Sequence, residues 1–236
     1  YKLNTPEALQ TMAEQERSGC VRAAERIREA GINCKVVSVG STPTALSAKS
    51  LEGVTEVRAG VYVFFDLVMH NIGVCRIKDI AMGVLARVIG HQKEKGWAII
   101  DSGWMAMSRD QGTKAQQHNF GYGQVCEPDG KILPYIVSGA NQEHGIISAV
   151  EGMDKNITDS FPLGKLLWIL PNHACATGAQ FPEYHALDKD GNLSIWPRIY
   201  GWYFFAERCI VLINRFTTFC IQINAPLLSD VISLLG

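Results

Sequence analysis

From Asn4 to Gly31 apolar side chains return every three or four positions, with Leu9, Met12, Ala13, Cys20, Ala24 and Ile27 on one stripe. That period predicts a helix that buries one face. Asn4 or Thr5 can cap its start, Pro6 suits its first turn and Gly31 can end it. Gly19 is expected to split it in two. The pattern then shortens: in "CKVVSVGSTPT" the β-branched Val36, Val37 and Val39 stop at Gly40 and a polar turn, which predicts a short buried strand. "GVYVFFDLV" predicts a second one. Helix followed by buried strand is the order of an α/β unit.

Beyond Asp66 the period falls to two. In "DIAMGVLARVIG", Ile80, Met82, Val84, Ala86 and Val88 share one face and alternate with the other, as in a strand. "WAIIDSG" and "KILPYIVSG" read as further strands, and the Asp-Gly pairs in "EPDGK" and "DKDGN" suit hairpin turns. The middle of the chain is therefore expected to be mostly antiparallel β. An apolar tail from Tyr203 to Gly236 follows, interrupted by Glu207, Arg208, Asn214 and Arg215. No apolar run in it reaches the roughly 18 residues a membrane span requires, so no membrane partner is expected.

Composition narrows the function classes. With 22 basic and 23 acidic residues the chain carries no excess of positive charge for nucleic acid or an anionic membrane. Its seven cysteines form no CxxC and no dense secreted-type framework, so a reducing compartment, the cytoplasm, is expected. The sequence opens on Tyr1 with neither a signal sequence nor a transit peptide, and reads as a chain lacking its beginning.

Five stretches can carry chemistry. "ILPNHACAT" sets His173 and Cys175 two positions apart, and both residue types ligate zinc; in an extended loop that spacing points them the same way. Taken alone, the pair is equally two ordinary loop residues. A structural zinc wants four protein ligands, so a metal here would keep open positions, which favours catalysis. "SVGSTPT" ends a strand with Gly40 and offers the Ser41, Thr42 and Thr44 hydroxyls, either as a phosphate cradle or as a capping turn. Gly60, with Arg58 and Tyr62 beside it, allows backbone to approach a ligand. "DSGWMAMSRDQG" and "NQEHG" cluster polar residues at strand ends, where Asp101, Ser108, Glu143 and His144 read as turn formers or as supports of a site.

In order, "SVGSTPT", "VTEVRAGVYVFFD", "IIDSGWMAMSRDQG", "NQEHG", "ILPNHACAT" and "WPRIYGW" resemble the D-serine dehydratase and D-threonine aldolase family, pyridoxal-phosphate enzymes of the alanine-racemase fold type. The resemblance implies an α/β plus β fold: the last units of a (β/α)8 barrel over 1–66, a mostly antiparallel β domain with a metal-site loop over 67–202, and an unassigned tail over 203–236. It implies pyridoxal 5'-phosphate contacts at Tyr1, Ser41, Thr42, Gly60, Val61 and Tyr62, and Zn2+ on His173 and Cys175. Family members with His-x-Cys look like dehydratases and those with His-x-Asp like aldolases. The implied reaction is therefore dehydration of D-serine to pyruvate and ammonia, with a lysine taking the α-proton, the cofactor ring accepting electrons and zinc gripping the departing hydroxyl. The implied partners are a small D-amino acid and, in the complete protein, a second copy. No lysine here has surroundings like those of the family's Schiff-base lysine, so this polypeptide is expected to be a fragment that is inactive alone. The other readings are an aldolase of D-threonine-like substrates and a non-catalytic truncated remnant.

Overall fold

A computed structural model describes residues 3–188 and 190–199, together with the backbone of 221–224. Helix α1 (Pro6–Glu29) begins where the Thr5 hydroxyl accepts the Ala8 N–H at 3.2 Å, and stops just before Gly31. It runs unbroken through Gly19, against expectation, because one interior glycine costs a helix only about 0.5–1 kcal/mol. Its buried stripe is narrower than the sequence pattern. Leu9, Ala13 and Ala24 are buried and Cys20 packs half-buried on neighbouring strands, while Met12 and Ile27 are exposed at the margins.

Strand β1 (Ser38–Val39), helix α2 (Thr42–Ser47) and strand β2 (Glu56–Ala59) follow, with β1 and β2 parallel and Ser38 opposite Glu56. The backbone of 221–224 adds antiparallel to the other edge of β2. The strand predicted at Val36 starts later, because the Val37 N–H is taken by the Thr55 hydroxyl at 2.8 Å and Val36 stays exposed. "GVYVFFDLV" is not a strand. It forms a 3-10 turn at Val61–Val63 and then helix α3 (Leu67–Asn71), started by Asp66, whose carboxylate accepts the Met69 N–H at 2.9 Å.

The rest is built on β3 (Val84–Gln92), β4 (Trp97–Ile100), α4 (Trp104–Met107), β5 (Gly123–Cys126), β6 (Ile132–Ala140), β7 (Gly145–Ala149), α5 (Ile157–Ser160) and β8 (Leu166–Pro171). The six strands close into an antiparallel barrel in the ring order β3-β4-β7-β6-β5-β8. Alternation decides what fills it: Val84, Ala86 and Val88 point inward while Leu85 and Ile89 point out. The inward residues face one another across the ladders, Val84 with Ile169, Ala86 with Leu167, Val88 with Ile100 and Ala98 with Ile147. Each such Val, Leu or Ile side chain contributes about 1.5–3 kcal/mol by leaving water. Helix α6 (Ala174–Gly178) and a hairpin of β9 (Glu183–Leu187) and β10 (Leu193–Pro197) follow, the hairpin turning through the Asp-Gly pair as predicted.

The registers put one set of strand ends on one rim: Val84, Ile100, Gly123, Ala140, Gly145 and Pro171. The segment after Asp66, the 101–122 loop, the 141–144 turn and the chain after β8 therefore meet there. Among the described residues no helix is long and apolar enough to cross a membrane. Apart from the 221–224 backbone, the apolar tail lies outside the described residues, as does Tyr1.

Two glycines separate the roles of helix and rim. A Cβ on Gly103 would lie 2.4 Å from the Asn141 carbonyl and 2.6 Å from the His144 nitrogen, whereas a Cβ on Gly19 meets nothing within 4 Å. Gly103→Ala is expected to lose about 1–3 kcal/mol in denaturant unfolding, and Gly19→Ala to gain roughly 0.5–1 kcal/mol.

Candidate functional site

Asn172 leaves β8 buried and fully engaged. Its Oδ1 accepts from the Thr113 hydroxyl at 2.6 Å and the Thr113 N–H at 3.2 Å, and its Nδ2 donates to the Gly121 carbonyl at 2.7 Å. Its own carbonyl accepts the Val68 N–H at 3.3 Å. The 101–122 loop and α3 are thus both fastened to the residue before His173.

His173 is the N-cap of α6, with extended backbone at φ −137° and ψ 104°, and Cys175 sits in the first turn. The expected extended His-x-Cys is therefore corrected to a cap-and-turn arrangement. The Cys175 side chain is the largest influence on the His173 imidazole. Two further anchors hold α6. The second oxygen of Asp66 accepts the Ala174 N–H at 3.0 Å, and the Thr177 hydroxyl donates to the Met107 carbonyl at 2.8 Å.

The electrostatics are those of a negative nest around one ring. The Cys175 side chain, then Asp110 at 2.6 Å from Nδ1, push the imidazole up to about 9 against the opposing effect of burial, with the Asp66 charge adding to the rise. Burial raises the Asp66 carboxyl above its ordinary range, opposed by the N–H groups of Met69 and Ala174. The only non-glycine residues at positive φ among those described are Phe65 (φ 53°) and Ser108 (φ 72°). One precedes Asp66 and the other lies two before Asp110, so backbone strain gathers where carboxylates are aimed at α6. Among the described residues no cluster of three or more metal-ligating side chains occurs. An imidazole and a thiol suit zinc, with the remaining positions open to water or substrate.

The strand-end residues gather at the other feature. Ser41 caps α2 in a reciprocal box with Thr44, and the buried Thr42 hydroxyl accepts the Tyr62 N–H at 3.1 Å, so the turns after β1 and β2 are joined. Gly40 sits so close to β2 that a Cβ would fall 2.6 Å from the Arg58 nitrogen and oxygen. Gly60, Val61 and Tyr62 form the facing turn. Tyr62 and Asp66 are four positions apart, which limits that turn to at most about 14 Å from the α6 anchor.

The other polar candidates divide. Asp101 accepts the Arg87 N–H at 2.7 Å across the β3–β4 ladder, and Glu143 and His144 lie in a turn closed by the Asn141 N–H on the His144 carbonyl, 2.8 Å. These three form turns and ladder ends. Ser108 does more, since its hydroxyl accepts the Asp110 N–H at 3.2 Å. Asp66, Asp110, Thr113 and Asn172 were not singled out from sequence. Asp66 alone left a signal there, as a capping residue ahead of an apolar turn.

Residues 81–187 match the family described as "Putative serine dehydratase domain". The D-threo-3-hydroxyaspartate dehydratase of Delftia sp. HT23 is 64% identical over 86% of this chain and 54% of its own. Its solved structure superposes with a TM-score of 0.80, and it has also been solved as a histidine-to-alanine variant and as a cysteine-to-alanine variant in the metal-free form. The chain belongs to the D-serine dehydratase and D-threonine aldolase family. An alanine-racemase-like protein of Idiomarina loihiensis is 51% identical at a TM-score of 0.78, covering 85% of this chain and 53% of its own. The D-serine dehydratase of Dictyostelium discoideum is more distant, 27% identical over 82% of this chain and 49% of its own. The chain spans about half the length of the relatives it matches.

Asp66→Ala removes the acceptor for two buried N–H groups. It is expected to cost about 2–4 kcal/mol in chemical denaturation and to speed amide exchange at Met69 and Ala174. Unchanged protection at both amides would contradict the anchoring role.

Proposed function

We propose that the whole protein is a lyase that dehydrates D-configured 3-hydroxy amino acids, using pyridoxal 5'-phosphate and a divalent metal, with zinc as the resident ion. The observation that supports this reading is the start of α6, where His173 is the N-cap, Cys175 lies in the first turn, and Asp66, Asn172 and Thr177 anchor the segment. The Delftia variants support it, because the changed histidine and cysteine are likewise two positions apart in that enzyme. The match at 64% against 27% favours a 3-hydroxyaspartate-like substrate over the D-serine expected from sequence.

His173 and Cys175 are the residues that would hold the metal. Ser41, Thr42, Gly60 and Val61 fit a phosphate by donor chemistry: two hydroxyls and two backbone turns converge at one end of a parallel strand pair, with Gly40 leaving no room for a side chain. Tyr62 contributes through its ring position, since its N–H is spent on Thr42. When bound, the two groups supply an electron sink for the α-carbanion and a Lewis acid for the leaving hydroxyl. On this reading α1, β1, α2 and β2 are the last units of a (β/α)8 barrel and the region from 67 onward is the β domain, with Asp66 at the junction. The chain's own part in the reaction is to hold the hydroxyl end of the substrate at the rim of the six-stranded barrel and the cofactor's phosphate at the strand turns.

In the whole protein, D-threo-3-hydroxyaspartate is expected to give oxaloacetate and ammonia in equal amounts, at a higher kcat/KM than pyruvate from D-serine. His173→Ala is expected to lower kcat/KM by at least about 100-fold, as loss of a Lewis-acid ligand should. Glycine plus an aldehyde as products would instead assign the aldolase reaction.

A further inference from the structure

Asp110 stands 2.6 Å from His173 Nδ1, and both side chains are partly exposed, at 49% and 42%. An exposed ion pair adds little to stability. Yet this one is built with care. Ser108 is held at φ 72° and ψ 172°, a conformation side chains rarely adopt, and from there its hydroxyl takes the Asp110 N–H. Three residues further on, Thr113 is locked by N–H and hydroxyl onto the Asn172 side chain, immediately before His173. The loop bearing the carboxylate is therefore fastened on both sides of Asp110, once by strain and once to the residue next to the imidazole.

We propose that Asp110 is a positioning residue that holds the His173 Nδ1–H and so leaves Nε2 as the nitrogen that binds the metal. This rests on the metal reading of His173 and Cys175. A neutral imidazole has one N–H and one free lone pair, and the hydrogen bond to one nitrogen decides which lone pair is free. Such outer partners also fix the ring plane and raise its basicity toward the ion. The carboxylate does both without occupying a coordination position, which keeps open sites for water or substrate.

The test measures Zn2+ and Co2+ dissociation constants of the whole protein by competition with a chromophoric chelator, and the thiolate-to-cobalt absorption band. Asp110→Ala is expected to weaken both metals by about 10–100-fold, the usual effect of losing such a partner, with the thermal midpoint of the metal-free protein unchanged. Asp110→Asn keeps an oxygen acceptor and is expected to recover most of the affinity, with the cobalt–thiolate band intact because Cys175 is untouched. Affinity of Asp110→Ala within about twofold of wild type overturns the proposal, as does Asp110→Asn binding no better than Asp110→Ala, which would make the carboxylate itself a ligand. If His173→Ala loses the metal while Asp110→Ala does not, only this inference fails. If His173→Ala binds metal like wild type, the metal reading fails and takes this inference with it.

Discussion

One carboxylate joins α3 to α6. Asp66 gives one oxygen to the Met69 N–H at the start of α3 and the other to the Ala174 N–H at the start of α6. Removing a charge from water this completely is costly unless each oxygen finds a donor, and here both do. The two helix starts are also where backbone dipoles favour negative charge. Every other feature of the site is placed relative to that link: the turns after β1 and β2 lead into it, and His173 lies one residue before its far end.

Around the link, the rim of the barrel works as an assembly surface. Antiparallel registers bring the 101–122 loop, the 141–144 turn and the chain after β8 to the same end, although they are far apart in sequence. Rigid strands thus position loops, and loops carry the reactive groups.

The alternation from Val84 to Val88 was legible because a strand in a closed barrel has one dry and one wet face, so burial follows sequence parity, whereas Ile80 and Met82, read as part of the same strand, precede it. The start of α1 was legible from Thr5 and Pro6. "GVYVFFDLV" misled because its apolar run cannot by itself distinguish a strand from buried helical turns, and the decisive residue was the cap at Asp66. His173 and Cys175 could be singled out from residue type and family resemblance, but the helical turn they begin could not. Asp110 and Asn172 were beyond reach for another reason. Their partners lie dozens of residues away, and nothing local in "SRDQG" or "LPNHA" marks a long-range hydrogen bond.

A ring of six paired strands has no first and no last member. Another polypeptide therefore finds no unsatisfied main-chain ladder on which to template itself along the barrel wall. Among the described residues such ladders exist only on the small sheets, so recruitment by strand pairing would be confined to them, and the walls that position the rim loops cannot be prised open that way.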